Sequence, residues 1–222
     1  MVNSMQILLD IFLPSKCFAC ENDIKENYLC DFCCHLCNLV NNPLFLQESN
    51  VAALYFYEFS IKKIIHAAKY AKSISHVYVL LYLARQALIN SELLESLNSF
   101  AFEAIAYVPS SKIGLWQRGF DIPYLFAQQI SKLLNKPIIH ILEKPFSFKK
   151  TSSLTNKKDR IKAIKDTFII KKVTAYEKIL LVDDVVTTQA TFNECLRILK
   201  PYYKNIKCLA IAQTPLVTHN NF

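Results

Sequence analysis

Ile179-Leu180-Leu181-Val182-Asp183-Asp184-Val185-Val186-Thr187-Thr188-Gln189-Ala190-Thr191 is the stretch whose reading decides the fold. An apolar, β-branched run leads straight into two adjacent carboxylates, the pattern of a buried parallel strand that stops at a polar edge. Two threonines and a small residue follow, and then Phe192, Cys195, Leu196 and Leu199 recur at helical spacing up to Pro201. A strand, a hydroxyl-rich turn and a helix start together make an anion site. Free backbone N–H groups and the positive end of the helix dipole converge on the turn. Carboxylates just upstream accept hydrogen bonds from sugar hydroxyls or bind hydrated Mg²⁺.

This stretch resembles the phosphoribosyl pyrophosphate (PRPP) motif of type I phosphoribosyltransferases. The resemblance implies that Asp183 and Asp184 bind the ribose hydroxyls and that Thr187, Thr188, Gln189, Ala190 and Thr191 wrap the 5′-phosphate. The family pattern has Gly where this chain has Gln189. Gly there lets the backbone approach the phosphate or take a positive φ.

Outward from this stretch, strands and helices alternate. Residues 51 to 57 read as a strand, and residues 60 to 71 as a helix on Ile61, Ile64, Ile65 and Ala68. A buried helix follows from His76 to Leu88, then loop or frayed helix over 91 to 102. The strand Ala104 to Val108 stops at Pro109-Ser110-Ser111-Lys112, with Trp116, Arg118, Gly119 and Phe120 soon after. Asp121 as N-cap and Pro123 in the first turn start a helix to Leu134. Residues 138 to 142 and 206 to 212 read as further strands. The alternation predicts βαβ units, an α/β fold with a parallel sheet. Ligands in such sheets sit beyond the strand carboxyl ends, which puts 109–112 and 183–191 on one rim.

The cysteines define a second unit. Cys17-x2-Cys20 and Cys30-x2-Cys33 are two hooks suited to a tetrahedral, all-sulfur structural Zn²⁺ site. Cys34 and Cys37 form an overlapping third hook and remain an alternative to Cys30 and Cys33. His35 and His66 read as surface or core residues, and Cys195 and Cys208 as core. The expected organisation is an N-terminal helix (Gln6 to Phe12) with a zinc finger over 1–45, a main domain over 46–215, and a tail over 216–222. A finger of this size buries little apolar surface and should fold on its metal.

The chain has 222 residues, 52% of them hydrophobic and 20% charged, so a packed core is expected and wholesale disorder is not. No apolar run reaches the ~18 residues of a membrane span. The start lacks a basic region and carries Asp10, which argues against a signal peptide and for the cytoplasm. The net charge of +8 sits in residues 144 to 172, whose basic residues face only Asp159 and Asp166. Such a segment suits pyrophosphate or nucleic acid. Lys149, Lys150, Lys157 and Lys158 offer charge for single-stranded DNA. Phe146, Phe148, Tyr202 and Tyr203 offer stacking faces. Lys112, Arg118 and Arg160 are the candidates for neutralising a pyrophosphate leaving group.

Taken whole, the chain resembles the ComF family of competence proteins, which pair an N-terminal zinc finger with a phosphoribosyltransferase-like domain. The marks are the C-x2-C pairs, Tyr57 with Lys69-Tyr70, Val108-Pro109, Arg118-Gly119-Phe120, Arg160 with Phe168, and the DDVVTT run. The resemblance implies that Ser110, Ser111 and Lys112 form the pyrophosphate loop and that residues 146 to 160 close over substrate. It implies bound PRPP with Mg²⁺, structural zinc, single-stranded DNA handled during natural transformation, and a DNA-import helicase as partner. An active transferase of the amidophosphoribosyltransferase kind and a zinc-finger adaptor with a vestigial site are the alternatives. The chain departs from the family at Asp121, which replaces Asn, at Ala163, near Ser153 where a Gln is expected, and at Gln189.

Overall fold

The structure, a computed structural model, describes residues 14–40, 50–145 and 166–215. The expected helix of residues 6 to 12, the tail, Ser153, Ala163, Phe146, Phe148, Lys149, Lys150, Lys157, Lys158 and Arg160 lie outside the described residues.

In chain order the elements are α1 (Asp31–His35), β1 (Val51–Phe56), α2 (Phe59–Tyr70), α3 (Ile74–Ile89), α4 (Glu92–Phe100), β2 (Ala104–Tyr107), α5 (Lys112–Arg118), α6 (Ile122–Leu134), β3 (Ile138–Ile139), β4 (Leu142–Glu143), β5 (Ile169–Ile170), β6 (Lys178–Val186), α7 (Ala190–Leu199) and β7 (Asn205–Gln213). Five strands form a sheet in the order β1-β7-β6-β2-β3. All four pairings are parallel, with Val182 opposite Tyr107 on one side of β6 and Leu209 on the other. This is the parallel α/β sheet that the alternation of elements predicts.

Both faces of the sheet are covered, as a parallel sheet requires. One face packs Leu180 and Val182 of β6 against α2, α3 and α6. The other packs Ile179 and Leu181 against Phe192, Cys195, Leu196 and Leu199 of α7. Strand alternation does this: successive side chains of β6 go to opposite sides. The continuous apolar reading of residues 179–182 is therefore a strand buried twice over.

Three elements differ from the sequence reading. Residues 92–100 form a regular helix, because Leu93, Leu97 and Phe100 bury one stripe against the core. The strand expected over 138–142 breaks after Ile139. Leu142 and Glu143 turn away to pair antiparallel with Ile170 and Ile169 in a separate two-stranded sheet. Strand β6 does not stop at the carboxylates. It runs through Asp183 and Asp184 to Val186, because β7 keeps pairing alongside as far as Gln213.

The cysteine unit is seated on the main body. Cys17, Ala19, Leu29 and Cys33 are buried in the same core as α2 and α3. Tyr28 meets Tyr78 and Tyr82 of α3 edge-on at 5.9 and 5.0 Å. His76 bridges Ser73 Oγ, 2.7 Å away, and the Phe18 carbonyl at 3.2 Å. At its exit the unit joins the sheet edge, where the Val40 N–H donates to the Leu54 carbonyl and the Phe56 N–H to Asn38.

Candidate functional site

Sheet topology singles out one crevice. β2 connects outward to β3 through α6, on the first face, while the neighbouring β6 connects the other way to β7 through α7, on the second. Loops leaving adjacent parallel strands in opposite directions open a cleft at the strand carboxyl ends, where α/β sheets bind ligands. The two stretches singled out in the sequence, 109–112 and 183–191, flank this cleft.

The two carboxylates lie near the carboxyl end of β6. Asp183 and Asp184 are both buried, at 8% and 7% exposure, and as neighbours on one strand they face opposite sides of the sheet. Asp184 lies toward α2, where the Lys69 ammonium pairs with its Oδ1 at 2.8 Å. Burial alone would lower the Lys69 pKa, but the Asp184 charge and hydrogen bond hold it above the usual lysine value. Asp183 lies toward α7, with Cys195, Cys208 and Lys144 in its electrostatic range. Its Oδ1 accepts the Asp184 N–H at 2.8 Å. Burial, reinforced by the Asp184 charge, pushes its carboxyl well above the ordinary carboxylate range. The pair thus divides into an ion-paired carboxylate and one driven toward its neutral form. Lys69 is the residue the sequence reading left without a role; its spacing on α2 marks it as off the buried stripe, but nothing in the sequence points it at Asp184.

Across the cleft, the β2 loop is an internally bonded cradle. The Ser110 hydroxyl donates to Asp121 Oδ1 at 2.8 Å and accepts from Arg118 Nη2 at 2.9 Å. The Ser110 N–H donates to Asp121 Oδ2 at 3.2 Å. Asp121 occupies the N-cap position of α6 as expected, but its side chain makes no cap bond and serves Ser110 instead. Burial raises its pKa, against the two Ser110 bonds, and Asp184 adds to the rise. Arg118 Nε is buried with no hydrogen-bond partner among the described residues, an unpaired donor in the cradle. Ser111 caps α5 by accepting the Gly114 N–H at 3.1 Å.

Both glycines of the chain lie between β2 and α6, Gly114 within α5 and Gly119 at its end. A Cβ on Gly114 would stand 3.0 Å from Ser111 Oγ and 3.4 Å from Arg118 Nη2, and Gly119 takes a φ of +79° to end α5. Lys112 is drawn out of the cradle by Glu143, 2.7 Å away. Its expected pyrophosphate role therefore requires that exposed, weakly held pair to open.

The 187–191 turn carries the residue that departs from the family pattern. Gln189 sits in the left-handed region (φ +56°) as N-cap of α7, without a side-chain cap bond. The position thus demands the conformation that Gly takes freely, and a β-carbon there costs roughly 1–2 kcal/mol. Gln189→Gly is expected to raise stability by about 1 kcal/mol in denaturant titration, and to tighten phosphate binding if crowding by the side chain limits it. A loss of stability would show that the side chain contributes contacts outweighing the strain.

The four thiols of Cys17, Cys20, Cys30 and Cys33 gather with every Sγ within 4.8 Å of the others. Cys20 and Cys30 Sγ stand 3.8 Å apart, the edge of a tetrahedron whose centre is about 2.3 Å from each sulfur. The donor set fits zinc. Burial works against ionisation of Cys17, but backbone N–H groups of Cys30, Ala19 and Cys20 outweigh it and lower the thiol to about 7. Cys34 is exposed, and the structure groups Cys30 and Cys33, not Cys34 and Cys37, with the first hook. His35 and His66 are exposed, and Cys195 and Cys208 buried, as expected.

Of the stacking faces expected for DNA, Tyr202 is exposed. Tyr203 is not: it is 2% exposed, packed in the α7 core with its hydroxyl on Thr174. Among the described residues no helix is long and apolar enough to cross a membrane.

No family model matches the chain. It is 34% identical over 101 residues to competence protein F of Haemophilus influenzae, a match covering 44% of this chain and 44% of that protein. The match thus spans under half the length of this relative. The similarity to a competence protein expected from the motifs is found over that stretch. Similar solved structures include a purine phosphoribosyltransferase from Pyrococcus horikoshii, at 18% identity and TM-score 0.38 over 63% of this chain and 79% of that one. The glutamine PRPP amidotransferase of B. subtilis aligns at 14% identity and TM-score 0.41 over 68% of this chain and 29% of that one.

Proposed function

We propose that this relative of competence protein F is a ComF-type protein whose β2–β6 crevice binds PRPP, with zinc held by Cys17, Cys20, Cys30 and Cys33. The observation that carries the reading is topological. A buried carboxylate pair and a helix-starting turn lie on one strand end, and a serine–arginine cradle with an unpaired buried donor lies on the next, at the point where the sheet's connections diverge.

In this reading the main-chain amides of Thr187 to Thr191 hold the 5′-phosphate, helped by the α7 dipole. Asp184, ion-paired with Lys69, accepts a ribose hydroxyl. Asp183, inclined to keep its proton, contributes an acceptor oxygen and an O–H donor on the other side of the strand. Ser110, Ser111 and Arg118 meet the pyrophosphate, which in this reading gives the unpaired Arg118 Nε a partner. Mg²⁺ arriving with PRPP supplies charge neutralisation for that group. Gln189 at a position that calls for Gly, and Lys112 tied to Glu143, favour a site that binds over one that turns over rapidly. The charge of +8 supports the further reading that the chain handles single-stranded DNA, with Lys149, Lys150, Lys157 and Lys158 as contacts.

PRPP with Mg²⁺ is expected to raise the melting temperature, as a native-state ligand does. Asp183→Ala/Asp184→Ala should erase that shift. A shift of unchanged size in the double variant would move the site elsewhere.

A further inference from the structure

The exposed side of α2 carries a pattern that none of the roles above uses. Phe59, Lys62, Lys63, His66 and Tyr70 are all exposed and recur at intervals of three and four, so they form one stripe along the helix. Phe59 and Tyr70 leave 55% and 60% of their surface open, and the His66 and Tyr70 rings lie 4.5 Å apart. Lys72, just past the helix end, is also exposed. The helix contains no acidic residue, and among the described residues Lys62, Lys63 and Lys72 form no ion pair. The opposite side, Ile61, Ile64, Ile65 and Ala68, is wholly buried, so the helix is fixed in place and the stripe is preformed.

We propose that this face of α2 is a docking surface for single-stranded nucleic acid, its lysines tracking phosphates while Phe59 and Tyr70 stack on bases. Three features select that partner. The rings stand about 16 Å apart along the axis, at 1.5 Å rise per residue, with cations between them. Alternating cations and ring faces match a chain that alternates anions and π-faces. An anionic membrane would need a continuous apolar face to insert, and the apolar face of α2 is already spent on the core. A second copy of the chain would bring like charges together. Because Lys69 leaves the same helix toward Asp184, the nucleic acid would lie beside the crevice, not in it.

The inference rests on the nucleic-acid part of the proposed function and gives it a different address from the 144–172 segment. Anisotropy with a labelled oligothymidylate tests it, using the full-length protein and parallel measurements on duplex DNA and on phosphatidylserine vesicles. Lys62→Glu/Lys63→Glu should weaken binding about tenfold or more and flatten the salt dependence by roughly one to two phosphate contacts. Tyr70→Ala should weaken it about five- to hundredfold with charge untouched. All three positions are exposed, and an unchanged melting temperature should accompany each loss. Unaltered affinity in these variants, with loss on reversing Lys149, Lys150, Lys157 and Lys158, would overturn the α2 site alone. No oligonucleotide binding by the wild type would overturn the nucleic-acid reading too, and so would vesicle binding in its place.

Discussion

Chelating the metal from the purified protein is expected to unfold residues 14–40 and to lower the melting temperature of the whole chain. The unit has little else to hold it: its buried residues are Cys17, Ala19, Leu29 and Cys33, two of them members of the four-cysteine cluster. The apparent binding energy of structural zinc, about 10–16 kcal/mol in finger peptides, would then be most of its folding energy. The effect should spread, because Phe18 and Tyr28 cover His76, Tyr78 and Tyr82 of α3, and the exit segment pairs with β1. Elemental analysis should give about one zinc per chain. Cys33→Ser should lose it, while Cys34→Ser and Cys37→Ser retain it. A metal-free protein with unchanged amide exchange over 14–40 would contradict the assignment.

Replacing Lys69 is the second large effect. Lys69→Met removes the partner of a carboxylate whose side chain is only 11% exposed, beside a second buried acid. Breaking such a pair from one side costs about 3–5 kcal/mol, because the remaining charge is left buried. The expected result in urea titration is a loss of that size. Asp184→Asn added to Lys69→Met should recover most of it, since two neutral groups no longer need each other. A loss below about 1 kcal/mol would mean that water reaches Asp184 and solvates it, placing the pair in the surface regime.

Much of the fold was legible because its signals are local. The apolar run at 179–182, the Ile61, Ile64, Ile65, Ala68 stripe and the Asp121–Pro123 helix start each depend on a few neighbouring residues, and each appears where expected. The cysteine hooks were legible as a cluster, while the choice between Cys30/Cys33 and Cys34/Cys37 stayed open until the fold brought the first pair to Cys17 and Cys20. What the sequence hid depends on contacts between distant segments. Asp121 caps nothing because Ser110 claims its carboxylate, and Tyr203 is buried because residues 168–176 fold over it. Strand 138–142 is cut short because Leu142 and Glu143 find a different partner in Ile169 and Ile170. Lys69 is the largest such case, since 115 residues separate it from Asp184. Gln189 is an intermediate one: the motif flagged the missing glycine, and only the backbone angle shows that the position needs one.

The central claim is that the crevice between β2 and β6 accepts a phosphoribosyl ligand through both rims at once. Calorimetric titration of PRPP with Mg²⁺ tests it most directly, on the wild type, on Asp184→Asn, and on Ser110→Ala, which removes the hydroxyl joining Arg118 to Asp121. The account predicts one saturable site in the wild type, weakened at least tenfold by either substitution and competed by ribose 5-phosphate. Wild-type protein that takes up no PRPP, or takes it up equally well with both rims altered, would contradict it.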